Sequence, residues 1–144
     1  MKSFTETLNG TLYGVMQWAH WERLCDQLRG GGQAWYFYAV GCGVPDAPLQ
    51  GMELDKALGE MDTLLRREHV ESYLGIVYMD DLANPTLVKI YDPNNLGSSC
   101  GSCGYTIPSG WVLSLRPPEP IDSDIPLPGN RRRWWQGLFS SAPP

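Results

Sequence analysis

The spacing of apolar positions divides the chain into two helical stretches and four extended ones, followed by a segment with no periodicity. Over residues 14–29, Trp18, Trp21, Cys25 and Leu28 recur at intervals of three and four. That spacing lines them along one face of an α-helix. Gly30-Gly31-Gly32 ends the pattern, since glycine readily takes the left-handed conformation beyond a last helical turn. Residues 33–41, QAWYFYAVG, are almost continuously apolar and aromatic, as in a strand covered on both faces. A loop with two prolines, CGVPDAPLQG at 42–51, leads to a second helix over 52–68, where Leu54, Leu58, Met61 and Leu65 form the buried stripe. Its first turn carries Glu53 and Asp55 and its last Arg66 and Arg67, the arrangement the helix dipole favours. YLGIVYM (73–79), TLVKIYD (86–92) and WVLSLRP (111–117) read as three further strands. The first two are joined by DDLANP, short enough for a hairpin.

The predicted order is α-β-α-β-β-β. Strands gathered toward the C-terminal end indicate an α+β domain: a mostly antiparallel four-stranded sheet with two helices on one face. Any βαβ crossover within it is expected to be right-handed. Residues 1–13 remain open between two readings. Asn9-Gly10, flanked by Phe4, Glu6 and Leu8, is a hairpin signal, and the same stretch also reads as an irregular lead into the first helix. Beyond Arg116 the composition changes, with seven of the twelve prolines in residues 117–144. The chain therefore divides into a compact domain (1–116), a Pro-rich linker or strap (117–129) and a basic aromatic C-terminal motif (130–144). Proline-rich chain prefers extended polyproline II and cannot join a sheet interior.

Charge narrows the partners. The formal charge is −5, which disfavours nucleic acid, whose phosphates demand a basic face. The first ten residues, MKSFTETLNG, lack the apolar centre of a secretory leader. The longest wholly apolar run, residues 34–40, falls far short of the ~20 residues that span a bilayer. These features point to a cytoplasmic protein. In that compartment the four cysteines are expected to be free thiols, metal ligands or catalytic groups rather than disulfides.

Two of those cysteines stand in CGSCG, residues 100–104. Two thiolates that close together, with glycine permitting the tight turn, resemble one half of a zinc ribbon. Zinc would need further ligands, and a second C-x-x-C is absent. Cys42, in GCG at the end of a predicted strand, is the best third ligand beside Cys100 and Cys103. Cys25 belongs to the apolar stripe and reads as a core residue. A redox role would need a thiolate stabilised at a helix N-terminus. Ile107-Pro108 follows the pair instead, and the residue before proline is pushed toward extended backbone. The third reading is an ordinary Gly/Ser-rich connection, long for a compact domain.

Tyr78-Met79-Asp80-Asp81 resembles the catalytic turn of reverse transcriptases, in which two aspartates help hold magnesium ions. The resemblance covers four residues of 144, and the preceding predicted strand, 33–41, has no acid to complete such a site. Asp80, Asp81 and Asp92 are weak candidates for a divalent cation. The alternative is that they build turns, with Asn84-Pro85 and Asp92-Pro93-Asn94-Asn95. There is no P-loop, dinucleotide-binding glycine motif, zinc-protease helix or serine elbow. His69 is placed to end the second helix.

Arg131-Arg132-Arg133-Trp134-Trp135, followed by Leu138 and Phe139, is the most unusual composition in the chain. Arg and Trp are the commonest anchors in protein interfaces. The segment suits a groove on a partner protein or sister subunit, or an anionic membrane surface. The expectation is a small non-enzymatic adaptor or accessory domain that binds protein through this tail. The alternative is a thiol-redox or zinc protein built on the CGSCG loop.

Overall fold

The computed structural model describes residues 3–40, 43–69, 71–93 and 110–121. Among these the order is α1 (Phe4–Leu8), β1 (Tyr13–Val15), α2 (Trp18–Gly30), β2 (Tyr36–Ala39), α3 (Met52–Glu68), β3 (Val77–Met79), β4 (Leu87–Ile90) and β5 (Trp111–Ser114). The α+β class holds. The sheet, however, has five strands rather than four, and there are three helices rather than two. The strands lie in the order β1-β3-β4-β5-β2, and every neighbouring pair is antiparallel. Alternation across the sheet makes its two edge strands, β1 and β2, run the same way. The β1-α2-β2 unit therefore crosses from one edge to the other.

The first two elements correct the reading of residues 1–17. Ser3 caps α1 by accepting from the Glu6 N–H, and Glu6 returns a carboxylate to the Ser3 N–H. This reciprocal box satisfies two otherwise unpaired helix-end donors. Asn9 ends that helix in ordinary right-handed backbone, so Asn9-Gly10 forms no hairpin turn. Tyr13–Val15 pairs with Met79–Val77, so α2 begins at Trp18 instead of residue 14.

Alternation along the strands feeds two cores. Phe37, Ala39, Val77, Met79, Val88, Ile90, Trp111 and Leu113 meet Trp21, Leu24, Cys25 and Leu28 of α2 and the buried stripe of α3. Thus α2 and α3 do share one face. The residues between them, Tyr38, Leu87 and Val112, point the other way and are closed by Phe4 of α1, with Leu8, Leu12, Val44 and Ile121 packed around. Within the aromatic run, Trp35, Phe37 and Ala39 face one core and Tyr38 and Val40 the other, so this part is covered on both sides. Trp21, Trp35 and Trp111 are almost fully buried, each removing a large apolar surface from water. The Trp21 indole N–H donates to Asp62 at 2.9 Å, tying α2 to α3.

Residues 117–121 leave β5 along the α1 side. The Glu119 carboxylate accepts from the Thr5 N–H, and the Ile121 N–H donates to the Tyr38 hydroxyl at 3.1 Å. No helix among the described residues is long and apolar enough to cross a membrane.

Candidate functional site

The aspartates of the β3–β4 turn are engaged with their own backbone. Asp80 Oδ1 accepts from the N–H groups of Thr86 (2.7 Å) and Leu87 (2.9 Å), and Oδ2 takes the Thr86 hydroxyl. Thr86 Oγ1 in turn lies 3.4 Å from Arg116 Nη1, which also reaches Thr7. One hydroxyl therefore bridges the Asp80 carboxylate to the guanidinium that links β5 to α1. Asp81 Oδ1 accepts from the Ala83 and Asn84 N–H groups at 2.8 and 2.9 Å, an Asx turn. Those two backbone bonds hold the exposed Asp81 carboxyl below its ordinary pKa.

Asp92 stands at the opposite end of β4. Asp80 bonds across to Leu87, and five residues of extended chain separate Leu87 from Asp92, about 17 Å. The three candidate cation ligands, Asp80, Asp81 and Asp92, are not brought together. Among the described residues, no group of three His, Cys, Asp or Glu side chains is placed to hold a metal.

Asp92 instead marks the root of the long β4–β5 loop. It is buried, and Gly110, where the chain returns, packs directly on it: a Cβ there would sit 2.8 Å from the Asp92 nitrogen. The Gly110 N–H donates to the Ile90 carbonyl, and the Gly110 carbonyl accepts from the Val40 N–H at 3.1 Å. The loop thus closes beside the end of β2, two residues from Cys42 along the chain. Cys42, Cys100 and Cys103 themselves lie outside the described residues. So do Arg131, Arg132, Arg133, Trp134, Trp135, Leu138 and Phe139.

A second polar assembly clasps the helices. Arg66 of α3 donates to Asp62 and to Glu22 of α2, both at 2.9 Å, with its guanidinium 4.9 Å from the Trp18 ring centre. The Asp62 and Glu22 carboxylates raise the Arg66 pKa. Cys25 lies in the same cleft, where burial pushes its thiol up to about 12. It is therefore a protonated, inert core group, as its place in the stripe implies.

Beyond α3 the chain turns at His69. Its Nε2 faces the carbonyl oxygens of Leu74 (2.7 Å) and Tyr73 (3.3 Å). Carbonyls only accept, so Nε2 carries the proton and donates. His69 thus fastens the 69–74 turn, which agrees with a helix-ending role. Next to it opens a groove of about 480 Å³, lined by Glu71, Tyr73, Leu74, Ile76 and Pro93 among others. Tyr73 is 51% exposed, and Met16 beside it is 49% exposed. This groove was not legible in the sequence, because its walls come from the end of α3 and the far end of β4.

No protein-family profile, curated protein or solved structure matches the chain.

Proposed function

We propose that the chain is a small non-enzymatic protein-binding domain of the cytoplasm, an adaptor or accessory module. Its Arg/Trp-rich segment at 131–139 docks on a partner chain or sister subunit. The carrying observation is a division of aromatic labour. Four of the six tryptophans serve the described domain: Trp21, Trp35 and Trp111 fill its core and Trp18 packs against it. The remaining pair, Trp134 and Trp135, stands beyond the Pro-rich segment next to three arginines, the composition of an interface anchor. The engagement of Asp80, Asp81, His69 and Cys25 in structural roles supports a binding role over a catalytic one.

The test is a chain ending at Gly129. Its thermal midpoint should match that of the full chain, while binding to a partner chain or a second copy is lost. Unchanged assembly in the shortened chain would overturn the reading.

One observation favours a second reading, a thiol or zinc site on the CGSCG loop. The bond between Val40 and Gly110 roots that loop beside the strand end leading to Cys42, which suits Cys42 as a further ligand to Cys100 and Cys103. Protein purified without added metal would then carry near-stoichiometric zinc by inductively coupled plasma mass spectrometry. Zinc near zero, with all three thiols unreactive, would remove it.

A further inference from the structure

We infer that α1 and residues 116–121 form a single clasp that lifts from the sheet as a unit while the five strands stay paired. This conformational device is separate from the docking reading of the tail. The two arms are far apart in the chain, 109 and 114 residues where they bond, yet they hold each other. The Glu119 carboxylate accepts from the Thr5 N–H at 3.1 Å, and Arg116 Nη1 lies 3.4 Å from Thr7 Oγ1. Both arms also meet on one side chain of β2. The Tyr38 ring stands 6.5 Å from the Phe4 ring, and the Tyr38 hydroxyl accepts from the Ile121 N–H at 3.1 Å. Phe4, Leu8 and Ile121 pack in the same apolar cluster with Tyr38, Leu87 and Val112. Neither arm can leave without loosening what holds the other.

The attachment is also of a kind that gives way early. α1 has five residues, and isolated helices shorter than about 12–15 residues are marginal in water. Docking, not propensity, therefore keeps it wound. Only Phe4 and Thr7 of α1 are buried. Its capping box and the Thr5–Glu119 bond are exposed, so water competes for each donor. In the other arm, Pro117, Pro118 and Pro120 have no N–H to give. Residues 117–121 hold on through Glu119, Ile121 and the buried Pro118 ring rather than through a strand ladder.

The root of that arm carries a further cost. Arg116 Nε is buried and meets no acceptor among the described residues. An unsatisfied buried donor opposes the closed state, and opening returns it to water. The sheet beneath is held differently. β4 and β5 are each paired on both sides, and Leu87 and Val112 are fully buried. Few buried apolar contacts and exposed hydrogen bonds mark the part of a fold that opens below the global transition. By that measure the clasp opens before β4 and β5 separate.

The experiment is native-state hydrogen exchange of the full chain, followed by NMR in low urea. The Thr7, Asn9 and Gly10 amides, bonded to the Ser3, Thr5 and Thr7 carbonyls, read α1. The Ile121 amide reads the other arm, and the Val88, Lys89 and Ile90 amides of β4 read the sheet. Both arms should exchange through one opening with a shared urea dependence, about tenfold or more faster than β4. The deciding readings are crossed. Tyr38→Phe keeps the ring against Phe4 and removes the hydroxyl that Ile121 uses; it should speed the α1 amides about three- to tenfold. Phe4→Ala should speed the Ile121 amide by about tenfold or more. Should Phe4→Ala not fold, Phe4→Leu gives the same reading with a smaller cavity. Arms that exchange only at the β4 rate would make the opening global. An arm indifferent to the variant on the other would make the two separate frayed segments. Either result overturns the inference.

Discussion

Replacing Asp80 by alanine removes one carboxylate and strands three donors at once: the Thr86 and Leu87 N–H groups and the Thr86 hydroxyl. Thr86 is partly exposed, so water replaces much of what it loses. Leu87 is fully buried, and its N–H has no such substitute. A hydrogen bond to a charged group contributes about 1.5–3 kcal/mol, and an orphaned buried donor costs about 1–3 kcal/mol. The Arg116 guanidinium also loses the carboxylate it reaches through Thr86. The expected loss is therefore about 2–3 kcal/mol, or a fall in Tm of roughly 6–12 °C for a chain of this size. Urea denaturation followed by tryptophan fluorescence, together with a thermal melt, measures both. Asp80→Asn keeps an oxygen for the two backbone donors and should lose less than half as much. Asp81→Ala, at a fully exposed turn where water can take over the Ala83 and Asn84 N–H groups, should move the midpoint far less. If Asp80→Ala and Asp81→Ala behave alike, or Asp80→Ala leaves the midpoint in place, the two aspartates do not have the separate turn-building roles assigned here.

The remaining predictions concern the loop root, the core thiol and the helix clasp. Gly110→Ala drives a methyl group into the Asp92 backbone and should destabilise by about 1–3 kcal/mol. Gly14→Ala, which meets only flexible side chains, should stay within about 0.5 kcal/mol; chemical denaturation of the pair checks the contrast. Cys25, raised from 9.0 to about 12 in the folded chain, contributes stability that is fully present below pH 9 and declines as pH rises toward 12, because the unfolded thiol ionises first. Cys25→Ala should flatten that part of the stability–pH curve, and in the native wild-type chain Cys25 should resist alkylation at neutral pH. Trp21→Phe forfeits the bond to Asp62 and should cost about 1.5–3 kcal/mol, read from the same urea curves.

The longer elements were legible where periodicity had room to repeat. The second predicted helix, 52–68, coincides with α3 because four turns of apolar stripe and matched end charges all agree. The two-sided strand at 33–41 was readable from continuous apolarity, though pairing confines it to Tyr36–Ala39. β1 was not readable: three residues cannot display an alternation, and Tyr13–Val15 is a strand only because β3 lies beside it. α1 did carry a local signal, Ser3 with Glu6 three residues later, which the competing Asn9-Gly10 pair obscured. The turn-building reading of Asp81 followed from side-chain chemistry that acts within three residues. The groove beyond α3 forms where the connection carrying Glu71 and Tyr73 meets Pro93 beyond β4, and no one-dimensional pattern encodes that.

The central claim is that Trp134 and Trp135 bury against another chain. Fluorine NMR on protein carrying 5-fluorotryptophan, with the two signals assigned through Trp134→Phe and Trp135→Phe, measures their solvent isotope shift directly as concentration changes. Both signals should report water contact in dilute protein and lose it as the chain associates. Signals shielded from water at every dilution would place the indoles within their own subunit and contradict the account.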